Sequence, residues 1–526
     1  MKQVICFMSM FLFIGMATAN VASADAQWTF MVYLDGDNNL ESAGIDDFLE
    51  MSSVGSDSNV NIVVQFDRID GHDITYGDWK TCKRFRVTSG MTPTAGNAID
   101  DIGEANMGDP ATLTAFIDWA RTNYPANRYA LILWNHGGGW REQQEALIKG
   151  LEAAKTCEGK NEIERALKEI RRPNYKAVCW DDTDGGDCLY MKEVKSALNA
   201  ATGDMHMIGF DACFMGMIEV AYEIKNTGAS VVVGSEETEP GDGWPYNTIL
   251  GDLVSNSSWT PAQLGTAIVD RYYASYGNSE TQSAIDLIQM NNLASTVSNF
   301  ADKMRTSWNT DKSAVQTAAQ AVMDDVDTAV IHDQHGSSWP GAHGLAIYFP
   351  DNSGDFDSDY NGTVIDFAAD TLWEEFLSDF YTSMGGSWIE LARWNSQEFY
   401  YPEHIDLYDF CENIVNSPTG DLVLSEGFEG GAVPPKGWTL YVTNPGYTWK
   451  IHTYDPHSGT YAADVVFDPA FTPQDEVLLT PELPAMTSAT LEFWSFVSLY
   501  WGGGDPYDNY DLEVWIVVGD WDAGTG

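Results

Sequence analysis

The chain has 526 residues, enough for two or three domains with a sizeable core. Hydrophobic residues make up 44% and aromatic residues 13%, which excludes an acidic disordered tail. Its 78 Asp and Glu against 27 Lys and Arg leave a net charge of -51, which repels phosphates, argues against a nucleic-acid partner and suits a soluble exported protein.

Residues 1–26 read as a secretory signal peptide: Lys2 precedes an apolar run over 4–17, and small residues offer cleavage after Ala19, Ala24 or Ala26. No other apolar stretch is long and uncharged enough to span a membrane. Seven cysteines occur, too few for a disulfide scaffold in a chain of this size. Cys179 and Cys188 flank an Asp/Gly loop and are candidates to pair after export. An unpaired, reactive cysteine is left open, and Cys213 is the candidate.

Near-continuous apolar runs predict strands over 28–34, 60–66, 129–134, 206–210, 231–234 and 344–349. Helical periodicity predicts helices over 40–54, 110–124, 214–225, 261–276 and 364–383. Apolar strands alternating with helices indicate an α/β domain over 27–390, with a mostly parallel six-stranded sheet covered on both faces. In such a sheet the working site lies beyond the carboxyl ends of the strands. Between the third and fourth strands, residues 141–175 form a basic insert with the pattern of two short amphipathic helices, in contrast to the acidic chain around it. It reads either as a solvated helical hairpin or as a cleavable segment. Residues 391–417 read as a linker. Past it, 418–526 carry short strands between Gly, Pro and Asp turns, the pattern of a β-sandwich, incomplete where the sequence stops at Gly526.

Two predicted strands stop on reactive residues. ALILWNHGGG leads into His136, and MIGFDAC into Cys213. Cysteine attacks as thiolate, and a nearby base or helix N-terminus makes thiolate available. Cys213 sits at the predicted step from strand to helix, where backbone N–H groups face a developing anion. A cysteine after an apolar strand is ordinarily a buried small hydrophobe, and a loop histidine is ordinarily structural. Residue types alone leave both readings open. Their shared place at strand ends draws them level.

The blocks that carry these residues resemble those of the clostripain family of cysteine peptidases, relatives of caspases, gingipains and legumain. They are WTFMVYLDGDNNLE from Trp28, WNHGGGW from Trp134, DACFMGM from Asp211 with EVAYE from Glu219, SEE from Ser235, PGDGWPY from Pro240 and GLAIYFP from Gly344. They stand in the family's order from about Trp28 to about Met384. The resemblance implies a caspase-like sheet sandwiched by helices. His136 would be the general base and acid, Cys213 the nucleophile, and the N–H groups of Gly137 and Cys213 the oxyanion hole. It implies cleavage after Arg or Lys, with Asp211 as the pocket acid and Asp242 as a second candidate, because a cationic side chain needs carboxylates. It implies self-cleavage between the histidine and cysteine blocks, with Lys149, Lys155, Lys160, Arg171 and Arg172 as candidate cuts. No cofactor is required for the chemistry. Some members need Ca2+, for which Asp181, Asp182, Asp184 and Asp187 offer oxygen ligands outside the EF-hand pattern. His332 and His335, with Asp333, form a weaker metal candidate.

The C-terminal part resembles the β-jelly-roll modules of secreted bacterial peptidases and adhesins, through Phe428, Pro434, Trp438, Trp449 and Leu478. Such a module implies contact with cell-surface or glycan partners. Its tryptophans would equally fill a sandwich core. The sequence thus points to a secreted or cell-surface cysteine endopeptidase acting on protein or peptide substrates. The alternative is a non-catalytic adhesin on a peptidase-like scaffold.

Overall fold

The computed structural model describes residues 25–140, 178–277, 280–354, 356–384, 388–399 and 403–417, with short stretches between 432 and 480. Residues 1–24 of the expected signal peptide, the basic insert with its five candidate cuts, and most of the expected C-terminal module lie outside the described residues, whereas Ala26 already opens the first strand.

Thirteen strands position the site: β1 (Ala26–Gly36), β2 (Val60–Arg68), β3 (Cys82–Arg86), β4 (Asp100–Gly103), β5 (Ala126–Trp134), β6 (Val178–Asp181), β7 (Asp187–Leu189), β8 (Met207–Asp211), β9 (Val231–Gly234), β10 (Thr281–Asp286), β11 (Val330–His335), β12 (Ala346–Tyr348) and β13 (His404–Asp406). Nine of them make one mixed sheet in the order β11-β10-β9-β8-β5-β1-β2-β3-β4. The five central strands, β2-β1-β5-β8-β9, are parallel. They are the apolar runs read from the sequence, because burial on both faces demands apolar residues at nearly every position. Along β1, Phe30, Val32 and Leu34 face one core, and Met31 and Tyr33 face the other. Helices Glu41–Val54, Tyr246–Ser255 and Pro261–Tyr276 contribute to the first core. Helices Pro110–Asn123, Met191–Ala200, Met290–Ser307, Lys312–Ala329 and Trp373–Ser383 contribute to the second.

The expected six-stranded sheet is therefore corrected to nine strands. Antiparallel strands β3 and β4 extend one edge, and β10 and β11 the other. The run expected as a sixth sheet strand, 344–349, leaves the sheet. Gly344 takes a left-handed conformation at φ 88°, and β12 pairs antiparallel with β13 instead. A Cβ at Gly344 would lie 2.9 Å from Ser283 Cβ and 3.0 Å from Asp333 Cβ, so the chain turns aside against β10 and β11.

Residues 391–417 do not form a linker. Helix Trp388–Trp394, β13 and helix Leu407–Asn416 pack into the domain, burying Phe410, Cys411 and Ile414. Arg393 is fully buried, with its guanidinium on Phe349 O at 2.9 Å and on Asp351 at 2.6 Å. Within 418–526 the structure describes two antiparallel pairs, Thr439–Tyr441 with Val477–Leu479 and Trp449–His452 with Ala462–Val465. Among the described residues no helix is long and apolar enough to cross a membrane.

Candidate active site

Strands β5 and β8 are parallel neighbours, and Trp134 at the end of one pairs with Asp211 at the end of the other. Asn135 N–H donates to Asp211 O at 3.2 Å, carrying the contact one residue further. His136 and Cys213 are each the second residue past that pair, so the sheet delivers both to one edge. Just beyond, the two backbones nearly touch. A Cβ at Gly137 would lie 2.2 Å from Cys213 O and 2.8 Å from Cys213 N. Only glycine allows that approach.

Asn135 Nδ2 bridges Asp35 Oδ2 at 2.8 Å and Trp180 O at 3.2 Å, fixing the turn that carries His136. His136 Nε2 lies 2.9 Å from Asn39 Oδ1. In the tautomer that donates from Nε2, Nδ1 carries the basic lone pair. Burial lowers the imidazole to about 4, so it is neutral above that pH and ready to accept a proton.

The Cys213 thiol is pushed up to about 12, first by burial and then by the charges of Glu239 and Glu237. The N–H of Glu239, 3.2 Å from Sγ, opposes this. Thiolate is therefore scarce at neutral pH, and attack on a carbonyl needs the neighbouring base. The helix expected to begin at 214 begins at Ile218 and is only seven residues long. Phe214 instead takes φ 61°, with its N–H on Glu237 O and the N–H of Gly216 on Ser235 O. Fixed backbone at a turn, and not a helix N-terminus, surrounds the sulfur.

Behind the thiol lies a carboxylate cluster. Asp211 Oδ2 accepts from Tyr246 OH at 2.8 Å and Trp244 N–H at 3.2 Å. Glu239, whose N–H faces Sγ, is hydrogen-bonded through its carboxyl to Asp211. Trp244 Nε1 and Gln282 Nε2 hold its two oxygens at 3.1 and 3.0 Å. Asp47 accepts from Trp134 Nε1 at 2.6 Å. A Cβ at Gly243 would sit 2.8 Å from Asp47 Oδ2 and 3.2 Å from Asp211 Oδ2, which places the two carboxylates together. Burial raises all three, Asp211 only to about 6 and Asp47 and Glu239 further. After burial, the charge of Asp211 is the next cause that raises Asp47 and Glu239, so the three carboxyls do not ionise independently. Asp242 is not in this cluster. It stands exposed.

A family model described as the clostripain family matches residues 32–334, more than half of the chain. The chain belongs to the clostripain family. Clostripain from Hathewaya histolytica is 31% identical over 243 residues, covering 42% of this chain and 41% of that one. The chain thus spans about two fifths of the length of that curated clostripain relative. A secreted C11 cysteine protease from Bacteroides thetaiotaomicron, solved with an irreversible peptide inhibitor, is 20% identical with a TM-score of 0.48, covering 66% of this chain and 99% of that one. An inactive zymogen C11 protease from Parabacteroides distasonis is 19% identical with a TM-score of 0.46, over the same shares.

Among the residues that sequence reasoning missed are Asn39, Asp47 and Glu239. Glu239 lies between two blocks that mark the clostripain family, SEE and PGDGWPY, and only its fold against Cys213 reveals it. The oxygen-ligand candidates divide. Asp181 and Asp184 meet at Glu104, whereas Asp187 Oδ2 instead accepts from Asn106 Nδ2 at 2.7 Å. Asp182 belongs to neither group of gathered carboxylates. His332 pairs with Asp270 at 2.8 Å and His335 with Asp333 at 3.6 Å, so these histidines do not share a site. Cys179 and Cys188 are buried free thiols, which corrects the expected pairing.

Proposed function

We propose that this chain is a secreted cysteine endopeptidase that cleaves after Arg or Lys, with His136 and Cys213 as its catalytic pair. One observation carries the reading. Glu239 faces Cys213 Sγ with its N–H and Asp211 with its carboxyl, so the thiol and the buried anion are one residue apart. Asp211 offers negative charge to a guanidinium or ammonium. His136 takes the thiol proton as Sγ bonds to the carbonyl carbon. The N–H groups of Gly137 and Cys213 receive the oxyanion. The imidazolium returns the proton to the leaving amine as the C–N bond breaks. Water, deprotonated by the same imidazole, then hydrolyses the thioester.

The precursor is cut within 141–175. The chain leaves the site at Trp140 and returns at Val178, which bridges Gly137 in antiparallel fashion. A cut between them frees both ends beside His136, while β5 and β8 stay paired. The Ca2+ that some family members need would be held by Asp37, Asp67, Glu104, Asp181 and Asp184, where two carboxylate oxygens are buried without partners. It would supply charge neutralisation at a loop junction, and no step of the reaction passes through it.

The test is cleavage of Arg-, Lys- and Asp-ended reporter peptides by the wild type and by Cys213→Ala. Arg and Lys reporters should be cut by the wild type alone. Equal cleavage by the alanine variant sinks the assignment, and none by either favours the adhesin alternative. N-terminal sequencing of fragments locates the cut; fully active enzyme with an intact chain overturns the processing.

A further inference from the structure

We propose that His404, on β13, is a positioning residue for the nucleophile: by donating from Nε2 to Glu236 O it holds the backbone on which the Cys213 turn rests; this rests on the reading of Cys213 as the nucleophile. The turn behind the thiol carries a backbone outlier. Phe214, directly after Cys213, takes φ 61°. A bulky residue keeps the left-handed region only where its surroundings hold it there, and such outliers gather at functional sites. The geometry of the turn therefore depends on what it is tied to.

Three consecutive carbonyls of the chain after β9 share that task. Ser235 O accepts from Gly216 N–H at 2.7 Å, and Glu237 O from Phe214 N–H at 3.1 Å. Between them, Glu236 O lies 3.0 Å from His404 Nε2. A carbonyl oxygen only accepts, so the imidazole donates from Nε2. The packing is close, since a Cβ at Gly216 would stand 2.8 Å from Glu236 N and 3.0 Å from Ser235 O. His404 and Glu236 are both buried. A buried carbonyl that loses a donor costs free energy and turns toward another partner. Rotation at Glu236 disturbs the carbonyls on either side, and these are the two that hold the turn.

The histidine also touches the turn directly. Its ring meets that of Phe214 edge to face, with centroids 5.2 Å apart at 76°, and it stacks on Phe399 at 5.4 Å and 22°. Strand β13 is itself fixed on β12, where Tyr348 stands opposite His404. The N–H of Ala346, at the start of β12, donates to Gly216 O at 2.9 Å. The contacts close a ring that runs from the turn through β12, β13 and His404 to Glu236 and back to the turn. His404 thus acts on Sγ through the backbone, and β13 places the nucleophile as well as filling out the fold.

The test uses full chains, first treated with immobilised wild-type enzyme so that processing is equal, and held below Tm. It measures kcat and KM on an Arg reporter, and iodoacetamide alkylation of Cys213 followed on the peptide that carries it. His404→Ala should lower kcat by at least about tenfold, toward the roughly 100-fold that a misplacement of about 1 Å costs, with KM within about twofold. His404→Phe keeps a ring against Phe214 but offers no donor, and should lose nearly as much. His404→Gln, whose Nε2–H can reach the carbonyl, should stand at least about threefold above both in kcat. Phe410→Ala, a core truncation among Phe300, Phe349 and Trp373, should lower Tm but leave kcat within about twofold, so that instability alone does not imitate the effect. Alkylation of Cys213 in His404→Ala should change by at least about threefold, in either direction, because burial and the Glu239 N–H act oppositely on the thiol. The proposal is overturned by turnover of His404→Phe within about twofold of wild type, by a His404→Gln no better than His404→Phe, by an equal kcat loss in Phe410→Ala, or by an unaltered alkylation rate. Cleavage that survives Cys213→Ala sinks the peptidase reading instead, and the alkylation rate then still decides whether His404 holds the turn.

Discussion

Replacing Gly137 by alanine tests the central contact of the site. The added Cβ would meet Cys213 O at 2.2 Å and Cys213 N at 2.8 Å, with Ala212 Cβ at 2.9 Å. Ordinary contacts begin at about 3.4 Å, so the carbonyl of Cys213 must retreat by about 1 Å or the β5 and β8 ends must part. Neither is a flexible side-chain tip. Overpacking of this kind costs about 1–3 kcal/mol of stability. The kinetic effect should be larger, because both proposed oxyanion donors, the N–H groups of Gly137 and Cys213, sit on the displaced backbone. Loss of one such donor lowers kcat by about 10²- to 10³-fold. The assay is kcat/KM on an Arg reporter beside thermal unfolding, with Gly96→Ala as control, since nothing lies within 4 Å of a Cβ there. Gly137→Ala should keep its fold and lose at least about 100-fold in kcat, while the control stays within about twofold. If Gly137→Ala turns over within about threefold of wild type, the two backbone N–H groups do not form the oxyanion hole.

The pH dependence separates the roles of Asp211 and His136. Burial raises Asp211 to about 6, so its charge is present above that pH and lost as pH falls through it. The kcat/KM for Arg and Lys reporters should therefore fall on acidification near 6, whereas the lowered His136 limits only near 4. Asp211→Asn should remove the limb near 6 and cost on the order of 2–5 kcal/mol for these reporters; an unchanged limb would remove Asp211 from the pocket. The C-terminal segment is tested by Phe410→Ala, which empties a fully buried site among Phe300, Phe349 and Trp373. It should destabilise the domain by about 3–5 kcal/mol in denaturant unfolding. A loss below about 0.5 kcal/mol, typical of surface positions, would return 391–417 to a linker.

The sequence by itself determined the parallel centre of the sheet and the places of His136 and Cys213. Strands buried on both faces must be apolar throughout, and each of these two runs ends where its strand does. The chain's own order of blocks likewise carried the family resemblance. The tertiary structure alone decided what stands around the pair. Strand β3, Cys82–Arg86, is charged, and β11, Val330–His335, is half-exposed and polar, so neither shows the apolar run of a central strand. Strand 344–349 had that run, yet β12 stands outside the sheet and pairs with β13. Glu239 displaces Asp242 as the acid beside Asp211 because the 213–217 turn ties Cys213 to the chain after β9, which no local pattern encodes. The segment 391–417 lacks long periodicity but supplies Phe410 and Arg393 to the core. Finally, Asp37, Asp67, Glu104, Asp181 and Asp184 come from four separate stretches and gather as two groups of three that share Glu104. Hydrophobic periodicity records burial, whereas a gathering of carboxylates is a property of how strand ends and loops meet, and only the folded chain brings them together.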